Sequence, residues 1–274
     1  MILVTGATGN VGREVVDQLQ QAGEPIRAMS RNPEKASFPE NVEVVRGDLN
    51  DAESMKSVLD GVQKVFLIQT PDSDDFPGLA KQSGVEHIVF LSAAAIEVPI
   101  DNVIGQTHLQ KEELIKESGV AWTFLRPGAF MSNTLQWTNS IHSEGVVRAP
   151  FGDIGMAPID PHDIASVAVA ALTAPGHNGK IYSLSGPEVL TPKEQVQILS
   201  TATGKDIRYE NISREAAKER MARFIPEPIA EASLELIQFS AEHPAQISDT
   251  VKEVTGRDAW TFMQWAKEHA ALFM

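Results

Sequence analysis

The sequence contains no cysteine. That excludes disulfides, thiolate nucleophiles, zinc knuckles and iron–sulfur clusters. No run approaches the roughly 20 apolar residues that span a bilayer. The chain opens on Met1-Ile2-Leu3-Val4 with no basic segment or signal-like apolar core, so a cytoplasmic protein with no membrane partner is expected. A basic surplus is missing too. The 37 acidic and 23 basic residues leave a formal charge of −14, which disfavours direct nucleic-acid binding. A bound anion therefore needs a local basic or dipolar site. Tyrosine is scarce, at two residues, and no internal repeat or low-complexity linker breaks the chain. What remains is ordinary globular composition, 42% hydrophobic and 22% charged over 274 residues. The length suits one large α/β domain or a core domain with a smaller lobe.

The first 130 residues alternate β-rich runs with helical stretches. Strands are expected at 2–5, 25–30, 42–47, 64–68, 87–92 and 121–125. Helices are expected at 11–22, 52–59, about 75–82 and 103–117. Val11, Val15, Val16 and Leu19 share one helical face. Val65-Phe66-Leu67-Ile68 is continuously apolar, as in a strand covered on both faces. Such alternation implies a Rossmann-type, doubly wound parallel sheet. After Pro127 the pattern loosens. A helix is expected at 129–141, then a Gly/Pro-rich stretch over 145–161, a helix at 161–172 and a strand at 180–184. Helices at 192–203, 213–221, 226–240 and 258–272, with a strand near 207–211, complete a smaller, mainly helical lobe. The expected division is a dinucleotide-binding domain at 1–130 and a substrate lobe at 131–274, with the chain crossing back to the sheet.

The main chemical signal is Gly6-Ala7-Thr8-Gly9-Asn10-Val11-Gly12, between the first strand and the first helix. Gly6 permits a tight turn, Gly9 lets the backbone approach a phosphate, and Gly12 lets the helix pack near the strand. The helix N-terminus then offers free N–H groups to a pyrophosphate. After the second strand, Arg31 stands where an NAD-selective site carries Asp or Glu. Its guanidinium suits a 2′-phosphate, with Arg13 and Lys35 adding charge. The plainer reading is a solvated arginine. Asp48 and Leu49 close the third strand; Asp48 can accept from an adenine amino group or cap the helix near Asp51. Gln69-Thr70-Pro71 and Ser92 follow the fourth and fifth strands, where open α/β sheets bind ligands.

Several segments together resemble the NmrA-like family of atypical short-chain dehydrogenases. They are the GxxGxxG spacing of Gly6–Gly12, Gly84 to Ser92, Glu117-Ser118-Gly119, Thr123 to Asn133 with its Leu-Arg-Pro-Gly, and Asp160-Pro161-His162-Asp163-Ile164-Ala165. The likeness covers about residues 1–210 and includes quinone reductase and triphenylmethane reductase relatives. It implies NADPH as cofactor and either a reductase or a nucleotide-sensing role. Two departures stand out. Classical short-chain dehydrogenases carry Tyr-x-x-x-Lys, but neither Tyr182 nor Tyr209 has Lys four residues later. The matching helix holds His108 and Glu112 instead. His108 is the candidate proton donor; the plainer reading makes it a surface pair with Glu112. Second, the Thr70–Gly84 span leaves room for only a short helix, so an open nicotinamide end is expected.

Pro127, Phe130 and Asn133 are expected to border the nicotinamide and the acceptor. Phe130 would be a stacking surface, while Asn133 can instead cap a loop. The Asp160–Asp163 run reads as a helix start, not a metal site. Trp260, Phe262, Met263 and Trp265 read as lobe packing. The favoured function is hydride transfer from NADPH to a small quinone-like or dye-like aromatic acceptor, with a homodimer as an open option. The alternative is a non-catalytic NADP(H) redox sensor acting through a protein partner. Nucleotide-sugar epimerase chemistry would want the missing tyrosine.

Overall fold

The computed structural model describes residues 1–70 and 73–274; Pro71 of the expected Gln69-Thr70-Pro71 segment lies outside them. Seven parallel strands form the main sheet in the order β3-β2-β1-β4-β5-β6-β8. Their ranges are β1 Ile2–Val4, β2 Ile26–Ser30, β3 Glu43–Arg46, β4 Lys64–Ile68, β5 His87–Leu91, β6 Ala121–Pro127 and β8 Lys180–Leu184. The first six follow the doubly wound order, with the reversal point between β1 and β4. The helices are α1 Asn10–Gln21, α2 Ala52–Val58, α3 Phe76–Gln82, α4 Val103–Glu117, α5 Thr138–Glu144, α6 Pro161–Thr173, α7 Pro192–Thr203, α8 Arg214–Met221, α9 Glu227–Phe239, α10 Thr250–Thr255 and α11 Phe262–Glu268.

Alternating α and β units bury the sheet on both faces. On one face, Val11, Val15, Val16 and Leu19 of α1 share a core with Ile164, Ala165, Ala168 and Leu172 of α6. On the other, α2, α3 and α4 cover Leu3, Val65, Leu67, Ile88 and Phe124. The segment after residue 130 therefore supplies β8 as a seventh strand and α6 as a partner of α1. The lobe's own core begins at Met131 and joins Trp137, Ile141, Val147, Leu199, Phe262, Trp265 and Phe273.

The lobe departs most from expectation. The helix expected over 129–141 is a 3-10 turn at Met131–Trp137 followed by α5. The Gly/Pro-rich stretch hides β7 Val146–Ala149, which pairs in parallel with β9 Arg208–Asn211. Its pairing partner is about 60 residues away, so no local pattern announces it. α10 is also unanticipated, and the C-terminal helix is shorter than expected. Trp260 leaves the lobe core and packs instead on His162 of α6, ring centroids 5.4 Å apart. Asp160 does cap α6 with Pro161 in its first turn, and Asp163 is fully buried against Trp260 N–H and Arg257.

Candidate cofactor and acceptor site

The turn from β1 into α1 is shaped by glycine. Gly6 sits at φ +58°, and a side chain there would lie 2.5 Å from Ile68 of β4. A Cβ on Gly12 would overlap the Gly6 carbonyl oxygen, a backbone atom that cannot swing aside. Gly9 donates its N–H to Gly6 at 2.9 Å and caps α1 with no side-chain bond. The first turn of α1 carries no acidic residue. The positive end of the helix thus stays open to an anion. Thr5 stitches the reversal point: its hydroxyl donates to Phe66 C=O and accepts from Ile68 N–H.

A cleft of about 420 Å³ runs from this turn across the ends of β4, β5 and β6. Gly6, Gly9, Asn10, Val11 and Gly12 form one wall. Ile68, Gln69, Leu91, Ser92 and Ala93 form the floor, and His108, Pro127, Gly128 and Phe130 the far end. The Asn10 amide donates to Ser132 Oγ at 3.2 Å and ties the glycine turn to the lobe. Gln69 Oε1 and Thr70 Oγ1 are buried without a hydrogen-bond partner among the described residues. Buried polar groups are nearly always paired, so two orphans at a strand end mark a place for a ligand. A tight glycine turn, a helix N-terminus without a side-chain cap and an orphaned polar atom in the cleft floor fit a dinucleotide.

α4 is set close to the cleft by Gly105, where a Cβ would stand 2.8 Å from Ala95 C=O. It is capped by Asn102, whose side chain accepts from Gly105 N–H at 2.8 Å. One turn on, His108 Nδ1 lies 2.7 Å from Ile104 C=O. A carbonyl only accepts, so Nδ1 carries the proton, and in the neutral ring Nε2 is left as an acceptor. Burial pushes the His108 pKa down. The surface pairing with Glu112 does not form. Glu112 is fully buried and bonded to Arg126 Nη2 at 2.6 Å and to the Ser92 hydroxyl at 2.7 Å.

The NmrA-like family profile matches residues 1–267. The chain belongs to the NmrA-like family. It is 44% identical to the (4-alkanoyl-5-oxo-2,5-dihydrofuran-3-yl)methyl phosphate reductase of Streptomyces griseus, over 100% of this chain and 99% of that protein. It is 39% identical to the NAD(P)H azoreductase of Xenophilus azovorans, again over 100% and 99%. Among solved structures, the NADPH complex of the Escherichia coli quinone oxidoreductase QOR2 superposes with a TM-score of 0.82 at 26% identity, covering 98% of this chain and 99% of that one.

This NmrA-like chain brings ten of the expected site residues to the cleft: Gly6, Gly9, Asn10, Val11, Gly12, Gln69, Ser92, His108, Pro127 and Phe130. Thr8 is exposed on the turn, and Thr70 adjoins the floor as a buried orphan. Arg31 lies just past β2, exposed. Arg13 is already engaged: it donates to Ser37 C=O at 2.6 Å, pairs with Asp17 and covers the Phe38 ring at 4.7 Å. Asp48 is not the helix cap. Its Oδ1 accepts from Asn50 N–H at 3.0 Å, while Asp51 caps α2. Leu49 is buried core. Asn133 is exposed and absent from the cleft lining; its carbonyl accepts from the Gln136 side chain. Ile68, Leu91 and Ala93 line the cleft without having been singled out. The signal was there, because each flanks a residue already placed at a strand end.

Proposed function

We propose that this protein is an NADPH-dependent reductase that transfers hydride to a flat aromatic acceptor of quinone or dye type. The observation that carries this reading is the continuous cleft from the glycine turn to His108 and Phe130, with Gln69 Oε1 at its floor unpaired among the described residues. The azoreductase and quinone oxidoreductase names of similar proteins support the same class. NADPH supplies the hydride when bound. The glycine turn and the α1 N-terminus would hold the pyrophosphate, and Arg31 the 2′-phosphate. Pro127, Gly128 and Phe130 would place the acceptor over the nicotinamide and exclude water.

The donors in the cleft favour an acceptor that needs no enzymic acid. The His108 Nδ1 proton is committed to Ile104 and the Ser92 hydroxyl proton to Glu112. A quinone takes hydride first, and a proton from water completes the hydroquinone. His108 then serves as an acceptor that orients a hydroxyl or amide.

A spectrophotometric screen of NADPH oxidation against quinones, azo and triarylmethane dyes and aldehydes tests the reading. Turnover with quinones or dyes well above background is expected. Tight NADPH binding with no oxidation across the panel would favour the sensor alternative. His108→Ala should lower turnover by about tenfold, well short of the 10²–10⁴-fold typical of a lost general acid.

A further inference from the structure

We propose that Glu112 is a positioning residue of the cleft, holding the Ser92 hydroxyl so that Ser92 can only accept hydrogen bonds from the nicotinamide half of the cofactor. The proposal rests on the NADPH reading above. Glu112 is fully buried on α4, one helical turn after His108. Its Oε1 receives the Ser92 O–H at 2.7 Å and Arg126 Nε at 2.9 Å, and its Oε2 receives Arg126 Nη2 at 2.6 Å. A two-point guanidinium contact fixes the plane of the carboxylate. The third Arg126 nitrogen reaches Glu97 at 3.3 Å, and Glu97 also accepts the Ser183 hydroxyl at 2.7 Å. The network thus ties α4 to the ends of β5, β6 and β8.

A buried ion pair is a weak source of stability, since well-packed apolar residues often serve as well. Its place directly behind the cleft floor gives it another use. Ser92 has one hydroxyl proton and two lone pairs. With the proton turned onto Glu112, only lone pairs face the cleft, and the backbone is pinned by Ser92 N–H on Leu125 C=O at 2.7 Å. Such a group matches a donor, the amide N–H₂ or a ribose O–H of the nicotinamide half. It repels an oxyanion. Arg126 serves as the counter-charge that lets the carboxylate stay in place.

The test is a double-mutant cycle of Glu112→Met and Ser92→Ala. It is read by reduced-nicotinamide fluorescence, by turnover with a quinone and by affinity for 2′,5′-ADP, which occupies only the adenosine half. Methionine matches the length of glutamate but offers no oxygen to the Ser92 hydroxyl. Glu112→Met leaves Arg126 its Glu97 contact, so the guanidinium is not orphaned. Each single variant should lose the bound-state fluorescence shift and about tenfold in turnover. Affinity for 2′,5′-ADP should stay within about twofold of wild type. The double variant should be no worse than either single one, because both remove the same hydrogen bond. Wild-type fluorescence and rate in Glu112→Met, or losses that multiply in the double variant, would overturn the proposal. If Glu112→Met fails to fold, Glu112→Leu replaces it in the cycle, and the same outcomes decide. A wild-type protein that binds neither NADPH nor 2′,5′-ADP would overturn the NADPH reading itself, and this proposal with it.

Discussion

The two ends of the same strands teach different things. At the carboxyl ends of β4, β5 and β6 lies an open cleft, with Gln69 Oε1 in its lining and Thr70 Oγ1 beside it unpaired among the described residues. At the amino ends polar groups also gather but are closed on one another. His87 Nε2 meets the Thr123 hydroxyl at 2.9 Å, Thr123 donates to His177 C=O at 2.7 Å, and His177 Nδ1 meets the Tyr182 hydroxyl at 2.8 Å. Lys64 reaches Leu172 C=O. A histidine–tyrosine–lysine cluster looks catalytic by composition. It carries structure because its bonding capacity is used internally, whereas the cleft keeps capacity for a ligand. The contrast follows from the parallel sheet, which gathers loops and helix N-termini at one pole.

Four changes would break or sharpen that contrast. The largest effect is expected at the open pole from Gly12→Ala. The new methyl would overlap the Gly6 carbonyl and push α1 off the turn, lowering NADPH affinity more than about a hundredfold. Fluorescence titration alongside thermal melting would check this, and affinity within threefold of wild type would refute the steric argument. Next, Arg31→Ala should weaken NADPH by about tenfold or more, since a charged hydrogen bond contributes about 1.5–3 kcal/mol. NADH should change little. Paired titrations of the two cofactors decide it, and equal losses would remove Arg31 from cofactor choice.

At the closed pole the effects move to stability. Burial, with help from Lys64 and His177, pushes the His87 pKa down to about 4. A lowered histidine favours the folded state fully above its unfolded value near 6.5, and loses that contribution as pH falls toward 4. Denaturant unfolding at pH 5 and pH 8 should therefore show an acid loss that shrinks by about 1–2 kcal/mol in His87→Gln. Turnover at pH 8 should be unaffected; a fall in turnover would mean that the two poles are coupled.

The smallest effect has the opposite sign. Glu14 hydrogen-bonds His162 Nδ1 at 3.0 Å across the α1–α6 packing and pushes the His162 pKa up. That contribution is complete below about pH 6.5 and fades as pH rises above it. Both side chains are about one-third exposed, 35% and 36%, so screening keeps the effect under about 1 kcal/mol. Glu14→Gln should lower the melting temperature slightly at pH 6 and not at pH 8.5. A loss of the same size at both values would show that the pair acts through packing alone.

Much of this was legible in the sequence. Continuous apolar runs, a period-3.6 apolar face and the glycine spacing were enough to mark the six strands of the first 130 residues, the site pole and most of the cleft lining, because those signals are local. The 3-10 turn at Met131–Trp137 and the β7–β9 pair were not legible. Each depends on partners far away in the chain, as when Met131 N–H reaches Ile159 C=O.

By itself, then, the sequence pointed to an anion site at a helix end and not on a basic surface, and to strand ends near residues 68, 92 and 125 on the same side of the sheet. Backbone geometry and burial of apolar stretches follow from composition and order alone. Tertiary structure decided what each polar side chain is free to do. His108 and Glu112 are four residues apart in one helix, yet one faces the cleft with its proton on Ile104, and the other is sealed behind it against Arg126. Hydrogen-bond capacity is finite and is shared with whatever the fold brings within about 3 Å. Which lone pairs remain for a ligand is therefore fixed only when the chain has packed.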